Sequence, residues 1–351
     1  MTSRERWRAV LAGEKPDRTP CDYWGTGEIT ARLLRDLGCA TEADLWKCLG
    51  VDKCIHIAPR HPRATEDTWH MQSLFSIWGI GTAQIPYADG LGVYEEAVVH
   101  PLAEARSVAD VERFPWPSPD DWDYSGLQAE CDRWPDNPIL AGSSEAFYLY
   151  SRLRGMERAL EDLVEEPAIA DAILEHICEL DRGVFQRILD RVAGRIELVY
   201  VAEDLGTQES LLMSPRLFRQ FLKPRIKRLA DVVHGYGVKV MHHDDGAIRP
   251  LIPDLIEAGI DILNPIQWRC RGMEREALAR DFGPSLIFHG GVDNQHTLPF
   301  GTPRDVRDQI AENLRLFRNA KGYIVAPCHN MQANTPTANV VALYAAVREL
   351  G

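Results

Sequence analysis

The sequence contains no apolar run near the roughly 18 residues that a membrane-spanning helix needs. It also has no basic run, and its 351 residues carry a formal net charge of −13. This acidic balance disfavours nucleic acid or an anionic membrane as the main partner. The first residues, MTSRERWRAVLAGEKP, lack the apolar segment of a secretory signal. We therefore expect a cytoplasmic protein that acts on a small molecule.

Paired cysteine motifs are also missing. The eight cysteines are scattered, and none forms a CxxC pair. A chain of this size without a signal is expected to keep its thiols reduced, and most of them are predicted to be small core residues. No internal repeat is visible, and no GxGxxG follows the first predicted strand. That absence disfavours a dinucleotide-binding sheet.

What the sequence does contain is a regular alternation of short apolar runs and amphipathic stretches. Helical periodicity is clear in Pro167–Val192, Pro215–His234 and Pro303–Arg318, each starting with proline. The predicted strands are 18–24, 52–58, 138–143, 197–204, 238–245, 260–265, 285–291 and 322–328. Strands separated by helices are typical of parallel sheets. The sequence therefore predicts a single α/β domain over 1–351, a (β/α)8 TIM barrel, with an open doubly wound sheet as the alternative.

One region interrupts this alternation. Residues 66–136 are rich in tryptophan and proline and include the alternating run GLGVYEEAVVHP. We predict an inserted hairpin and long connection between the second and third strands. Its tryptophans either hold the insertion against the barrel or form a lid over a ligand, with Trp69, Trp78 and Trp116 as candidates for the lid.

Polar and metal-capable residues collect where the predicted strands end. Active sites of such barrels lie at the carboxyl ends of the strands. The residues at these ends are Asp22, Trp24, His56, Ser143, Ser144, Glu145, Glu203, Asp204, His242, His243, Asp244, Asp245, Asn264, Gln267, His289, Asp293, Asn294, Cys328, His329 and Asn330. This asymmetry predicts a functional site at the mouth of the barrel.

The stretch VKVMHHDDGAIRP, residues 238–250, is the most informative of these ends. Because side chains alternate along a strand, His243 and Asp245 should share one face and His242 and Asp244 the other, and we expect the first pair to face inward. Asp244 should face the helices and cap one that begins near Ala247. An imidazole and a carboxylate at this spacing can bind a divalent metal. We predict Cys328 as a third ligand. Glu203 is a candidate fourth ligand or a residue that orients the imidazole.

Several stretches resemble the uroporphyrinogen decarboxylase superfamily, most specifically over residues 196–346. They include YVAEDLGTQESLLMSPRLFRQFLKPRIKRLADVVHGYGVKVMHHDDGAIRPLIPDLIEAGIDILNPIQ, IFHGGVDNQ and YIVAPCHNMQANTPTANVVALYAAV. The resemblance implies a (β/α)8 barrel. The segment DRTPCDYWGTGEI lacks the arginine-rich signature by which haem-pathway decarboxylases hold their porphyrinogen. The superfamily's other branch consists of corrinoid-dependent methyltransferases.

This methyltransferase branch binds zinc through a His-x-Cys motif and a second cysteine near the last strand. The sequence matches the histidine with His243, places Asp245 at the first cysteine position, and has Cys328 near the second. A carboxylate in place of a thiolate leaves the metal harder, which suits a substrate oxygen. The resemblance therefore implies a zinc-dependent methyltransferase or demethylase acting on a small, methoxylated substrate. No D-x-H-x-x-G signature occurs, so the corrinoid is expected on a separate protein.

Candidates for proton transfer or substrate hydrogen bonds are Glu203, Asp204, His289 and His329. Two other functions remain open: a metal-assisted lyase, such as a decarboxylase of a small carboxylic acid, and a non-catalytic binding barrel. A monomer and a homodimer are both compatible with the sequence.

Overall fold

A parallel sheet forms the centre of the protein. The structure, a computed structural model, describes residues 1–64, 75–87 and 92–351. Its strands are β1 (Ile55–Ile57), β2 (Gly81–Tyr87), β3 (Gly92–Val99), β4 (Ile139–Ser144), β5 (Leu198–Ala202), β6 (Lys239–His243), β7 (Ile262–Asn264), β8 (Ile287–Val292) and β9 (Gly322–Pro327). Seven of them form one sheet in the order β1-β4-β5-β6-β7-β8-β9, every pair parallel. The sheet is curled, which confirms the predicted TIM-barrel-like α/β fold.

The prediction of a regular first strand over 18–24 is wrong. The chain there makes only isolated parallel bridges, Cys21 to Val325 of β9 and Gly25 to Met331. Pro20 has no N–H to donate, and the Asp22 carboxylate accepts from the Cys54 backbone N–H at 3.1 Å, where a strand would use its carbonyl. Segment 20–25 nevertheless lies beside β9 and occupies the position of the missing strand.

Helices alternate with the strands around the sheet. They are α1 (Ser3–Leu11), α2 (Gly27–Leu37), α3 (Glu42–Leu49), α4 (Val108–Glu112), α5 (Leu127–Arg133), α6 (Ala146–Arg154), α7 (Met156–Glu165), α8 (Pro167–Val192), α9 (Pro215–Phe221), α10 (Lys223–Gly235), α11 (Ile252–Ala258), α12 (Arg275–Phe282), α13 (Thr297–Phe300), α14 (Pro303–Phe317) and α15 (Thr337–Leu350). The helix predicted over Pro215–His234 is divided at Leu222, because Pro224 cannot donate the hydrogen bond that would continue α9 into α10. Within the described residues, no helix is both long and apolar enough to span a bilayer.

Alternation along the strands separates two apolar clusters. The smaller cluster fills the barrel and includes Tyr200 of β5, Met241 of β6 and Ile324 of β9. Trp7 and Val10 of α1 belong to the same cluster, so this helix closes the amino-terminal end of the barrel. The larger cluster lies between the sheet and the surrounding helices. The amino-terminal end of the barrel is therefore closed by apolar side chains.

The insertion contains the predicted hairpin. Strands β2 and β3 pair antiparallel, and Leu102 after them donates a backbone hydrogen bond to the Leu153 carbonyl at 2.9 Å. The Arg154 guanidinium, fully buried, donates to the Leu102, Ala103 and Ala105 carbonyls and forms an ion pair with Asp162. These bonds attach the end of the hairpin to α6 and α7.

Trp78, Trp116 and Trp134 of the insertion contact the outer parts of the barrel or one another, whereas Trp122 contacts His61, after β1, with ring centroids 4.7 Å apart. Trp116 stacks on His176 of α8 with ring centroids 4.4 Å apart, and it also contacts Trp78. Trp134 packs against Trp46 of α3. Trp69 lies outside the described residues. These contacts attach the insertion to the helices and do not test whether it covers a ligand. The lid therefore stays a prediction.

Candidate metal centre

Two potential ligands lie at the end of strand β6: His243 is its last residue, and Asp245 follows it. Met241 belongs to the interior cluster and Val240 to the outer one, so the alternation places His243 on the inner face. The predicted helix cap by Asp244 is wrong. The Asp244 carboxylate accepts from the backbone N–H of Leu205, after β5, at 2.7 Å, and thereby ties the ends of β5 and β6 together.

Asp204, His243 and Asp245 form a compact group in which one ligand atom from each lies within 4.8 Å of the others. His243 Nε2 is 3.7 Å from Asp204 Oδ1 and 3.8 Å from Asp245 Oδ2. The Asp245 Oδ1 atom is buried, and it has no hydrogen-bond partner among the described residues. A buried carboxylate oxygen without a partner is costly unless a cation or water completes it.

Two glycines allow the loops that carry the carboxylates to approach each other. A Cβ on Gly206 would lie 2.3 Å from the Asp245 carbonyl oxygen, and a Cβ on Gly246 would lie 2.5 Å from the Gly206 carbonyl carbon. Gly246 also has a φ of +90°, which disfavours any other residue. Backbone contact at this point brings Asp204 and Asp245, which follow different strands, to the same cation-sized space.

Behind His243 lies a chain of buried polar groups. Its Nδ1 atom is 2.6 Å from the Asn264 amide oxygen, and the Asn264 amide nitrogen is 2.6 Å from His289 Nδ1. His289 Nε2 in turn is 3.3 Å from Asp22 Oδ2. Since Nδ1 of His243 is engaged, Nε2 is the ring nitrogen that faces the two carboxylates.

Aromatic rings enclose the imidazole on its other sides. The Trp24 indole stacks on His243 with an interplanar angle of 19° and a centroid distance of 5.9 Å. Tyr200 approaches the same ring at 6.0 Å, and His56 lies 6.2 Å from Tyr200. These flat walls restrict the ring orientation of His243 and offer an apolar surface to a ligand above it.

Mutual proximity shifts the proton affinities of the group. Burial lowers the pKa of His243, but the Asp245 and Asp204 carboxylates outweigh it, so the pKa is raised. Burial and the charge of Asp204 raise the pKa of Glu145 to about 7, against the opposing effect of His243. The site thus concentrates negative charge around one imidazole, an arrangement that attracts a cation.

Comparison with known proteins agrees with this architecture. The family model described as uroporphyrinogen decarboxylase (URO-D) matches residues 90–350, well over half of the chain. The chain belongs to the uroporphyrinogen decarboxylase family. The resemblance inferred from the sequence is therefore confirmed at the level of the family, and membership in it supports an enzyme.

A curated relative within this family is the uroporphyrinogen decarboxylase of Anaeromyxobacter dehalogenans (strain 2CP-C). It is 28% identical over 200 residues, which cover 56% of this chain and 53% of that protein. The match therefore spans about half of the relative's length. A solved methyltransferase from Methanosarcina mazei superposes with a TM-score of 0.72 at 20% identity, covering 99% of both chains. At this identity the superposition shows a shared fold.

Two predicted site residues, Cys328 and Glu203, point away from the metal group formed by Asp204, His243 and Asp245. The Cys328 thiol donates to the Ile266 carbonyl at 2.9 Å, and burial raises its pKa. Among the described residues, its sulfur does not join the group of Asp204, His243 and Asp245. Its role as a ligand stays a prediction. Glu203 accepts from the Phe147 N–H at the start of α6 at 2.9 Å, on the helix side of the sheet.

The remaining candidates lie on the inner side. His329 Nε2 is 3.6 Å from Asp245 Oδ2 and partly exposed at the mouth. His289 is fully buried beneath the site. Asp204, expected as a proton-transfer residue, is also placed as a potential ligand. The sequence placed Glu145 and Asn264 among the strand-end residues but predicted no specific role for either. Glu145 follows a predicted strand and Asn264 lies near the end of another, but their contacts depend on neighbouring strands.

Proposed function

We propose that this protein is a metal-dependent methyltransferase or demethylase. It moves a methyl group between a small O-methylated substrate and a corrinoid carried by a separate protein. The group of Asp204, His243 and Asp245 at the barrel mouth is the observation that carries this proposal. Family membership and the shared fold with a solved methyltransferase support it.

The donor set fits a divalent cation. One imidazole nitrogen and two carboxylate oxygens are typical ligands of zinc and of other borderline divalent ions. His243, Asp204 and Asp245 would hold the ion, and the unpartnered Asp245 Oδ1 would gain a partner. When bound, such an ion acts as a Lewis acid toward a substrate oxygen.

Charge favours an ether or alcohol oxygen over a thiol at this site. The two carboxylates of Asp204 and Asp245 would offset a divalent charge, so the loaded centre is close to neutral. Cysteine-ligated zinc is softer and suits a thiolate. Here the Cys328 thiol donates a hydrogen bond to the Ile266 carbonyl. The group of Asp204, His243 and Asp245 contains only nitrogen and oxygen ligand atoms.

Residues of this protein would position the substrate and supply a proton. In demethylation the substrate C–O bond breaks, the methyl group bonds to the reduced corrinoid cobalt with the cobalt electron pair, and the oxygen accepts a proton. Glu145 is suited to supply that proton, because its pKa of about 7 leaves it partly protonated at neutral pH. Trp24 and Tyr200 would pack against the substrate's apolar part.

Metal analysis of protein purified without a histidine tag tests this function. We expect one zinc or similar ion per chain, lost in His243→Ala and in Asp245→Asn. The purified protein is then combined with cob(I)alamin and a panel of methoxylated aromatics, and methylcobalamin is followed by absorbance. Metal-dependent methylcobalamin formation supports the proposal. Metal-free protein with undiminished turnover contradicts it.

A decarboxylase is the second candidate. The raised pKa of Glu145 supports this function as much as it supports methyl transfer. Loss of CO2 leaves a carbanion that needs a proton, and a carboxylic acid with a pKa of about 7 can supply one. This reaction needs no corrinoid. Release of CO2 from small aromatic acids by the isolated protein, without methyl transfer, would favour it.

A further inference from the structure

Asn264 joins two histidines of different roles. Its amide oxygen accepts from His243 Nδ1 at 2.6 Å on one side, and its amide nitrogen donates to His289 Nδ1 at 2.6 Å on the other. His289 continues to Asp22 at 3.3 Å. Asn264, His289 and Asp22 are each at most 1% exposed. The four groups come from β6, β7, β8 and segment 20–25, so folding of the whole barrel is needed to align them.

The Asp22 carboxylate, at the end of this series of hydrogen bonds, determines which atom donates in each of them. Burial opposes ionisation of Asp22, but the Lys53 ammonium, 3.5 Å away, keeps its pKa low. Its Oδ1 accepts from the Tyr23 and Cys54 backbone N–H groups, and its Oδ2 accepts from the Trp24 indole N–H. An ionised carboxylate only accepts hydrogen bonds, so His289 Nε2 must donate. The Asn264 amide nitrogen can only donate, so His289 Nδ1 accepts from it. The Asn264 oxygen is left to accept from His243 Nδ1–H.

We infer that Asn264, His289 and Asp22 are positioning residues that fix His243 as its Nδ1–H tautomer, so that Nε2 presents its lone pair to a divalent cation. The inference rests on the proposed function only for the identity of that cation. His289 is thereby assigned to the support of His243, because its ring nitrogens contact Asn264 and Asp22 and, among the described residues, it is not part of the group of Asp204, His243 and Asp245. Partners of this kind fix ring orientation and increase ligand basicity.

Trp24 connects the same carboxylate to the front of the site. Its indole N–H donates to Asp22 Oδ2 at 2.8 Å, while its ring stacks on His243 at 5.9 Å. Asp22 therefore orients His243 in two ways: through the two intervening polar groups, and through the position of the stacked indole. Loss of this carboxylate should release both constraints.

Nitrogen-15 NMR of the wild-type protein tests the tautomers without any metal. Histidine-labelled protein is studied at pH 9 with a chelator, because the carboxylates raise the pKa of His243. We expect opposite tautomers, Nδ1–H for His243 and Nε2–H for His289, assigned with the single variants His243→Gln and His289→Gln. A His243 ring that carries its proton on Nε2, or averages between tautomers, overturns the inference.

Zinc affinity in matched variants gives the second measurement. Asn264→Leu removes the acceptor, and we expect its zinc dissociation constant to rise about 10- to 100-fold. Asn264→Asp keeps an oxygen acceptor for Nδ1–H and should restore most of the affinity. Asn339→Leu is the control, since Asn339 is another buried asparagine, bonded to the Leu298 and Gly301 carbonyls. Equal losses in Asn264→Leu and Asn339→Leu contradict a specific positioning role.

The two measurements separate this inference from the proposed function. If wild-type protein binds no zinc yet shows the two expected tautomers, the metal-dependent function fails and the tautomer assignment stands. If it binds zinc but His243 carries its proton on Nε2 in the metal-free state, the positioning role fails and the metal centre stands. Misfolding of Asn264→Leu leaves the wild-type spectrum as the deciding result.

Discussion

Replacement of Glu145 by glutamine should stabilise the metal-free protein at alkaline pH. Burial and the Asp204 carboxylate raise the pKa of Glu145 from 4.5 to about 7. The folded state therefore binds this proton more tightly than the unfolded state, and stability falls as pH rises from about 4.5 through 7. Each tenfold change in proton affinity corresponds to about 1.4 kcal/mol, so the cost above pH 7 is about 3 kcal/mol at most. Partial contact with solvent reduces this to about 2 kcal/mol.

The assay is urea unfolding followed by circular dichroism, at pH 5 and pH 8, with a chelator present. Glu145→Gln should exceed wild type in unfolding free energy by about 2 kcal/mol at pH 8 and by little at pH 5. Added zinc should reduce the difference, because a nearby cation stabilises the carboxylate.

Asp181→Asn is the matched control for this prediction. The pKa of Asp181 is also raised to about 7, mainly by burial and to a smaller extent by the charge of Glu145, but its carboxylate accepts from Ser144 and is not part of the metal group. Asp181→Asn should therefore stabilise the protein at pH 8 whether or not zinc is present. The reasoning about Glu145 is refuted if its variant gains as much at pH 5 as at pH 8, or if zinc affects both variants alike.

Three further predictions follow from the same geometry. Asp204→Asn should weaken zinc binding at least tenfold whereas Cys328→Ser leaves it unchanged, measured by competition with a chromogenic chelator; the opposite order would favour the cysteine as ligand. Gly206→Ala should lower the free energy of unfolding in urea by about 1 to 3 kcal/mol and also weaken zinc binding, because its Cβ would meet the Asp245 carbonyl. Gly126→Ala is the control and should do neither, because a Cβ there would have no atom within 4 Å. Trp24→Leu should lower zinc affinity less than Asn264→Leu, because it removes the stacked ring but keeps the acceptor for Nδ1–H.

The architecture was largely predictable because it depends on local patterns. Pro167–Val192 forms one helix with the predicted bounds, and proline begins it. His243 faces inward because strand alternation has a period of two. Segment 18–24 was mispredicted as a strand because its apolar pattern does not reveal that the Asp22 side chain takes over backbone hydrogen bonds.

The complete site was less predictable, because it depends on how neighbouring strand ends meet. Asp204 approaches Asp245 only because Gly206 and Gly246 permit backbone contact, and no strand pattern specifies that contact. Cys328 is the last residue of the predicted strand 322–328, but β9 ends at Pro327, so alternation no longer fixes the direction of its side chain. The role of Asn264 requires three adjacent strands at matched heights, which a single sequence does not encode in any local signal.

The central claim is that Asp204, His243 and Asp245 hold a divalent cation at the barrel mouth. A crystal soaked in zinc and measured on both sides of the zinc absorption edge tests it most directly. We predict an anomalous peak within bonding distance of His243 Nε2 and of one oxygen from each carboxylate, roughly 2.0–2.2 Å away. A fully soaked crystal with no peak between these three side chains would contradict the claim.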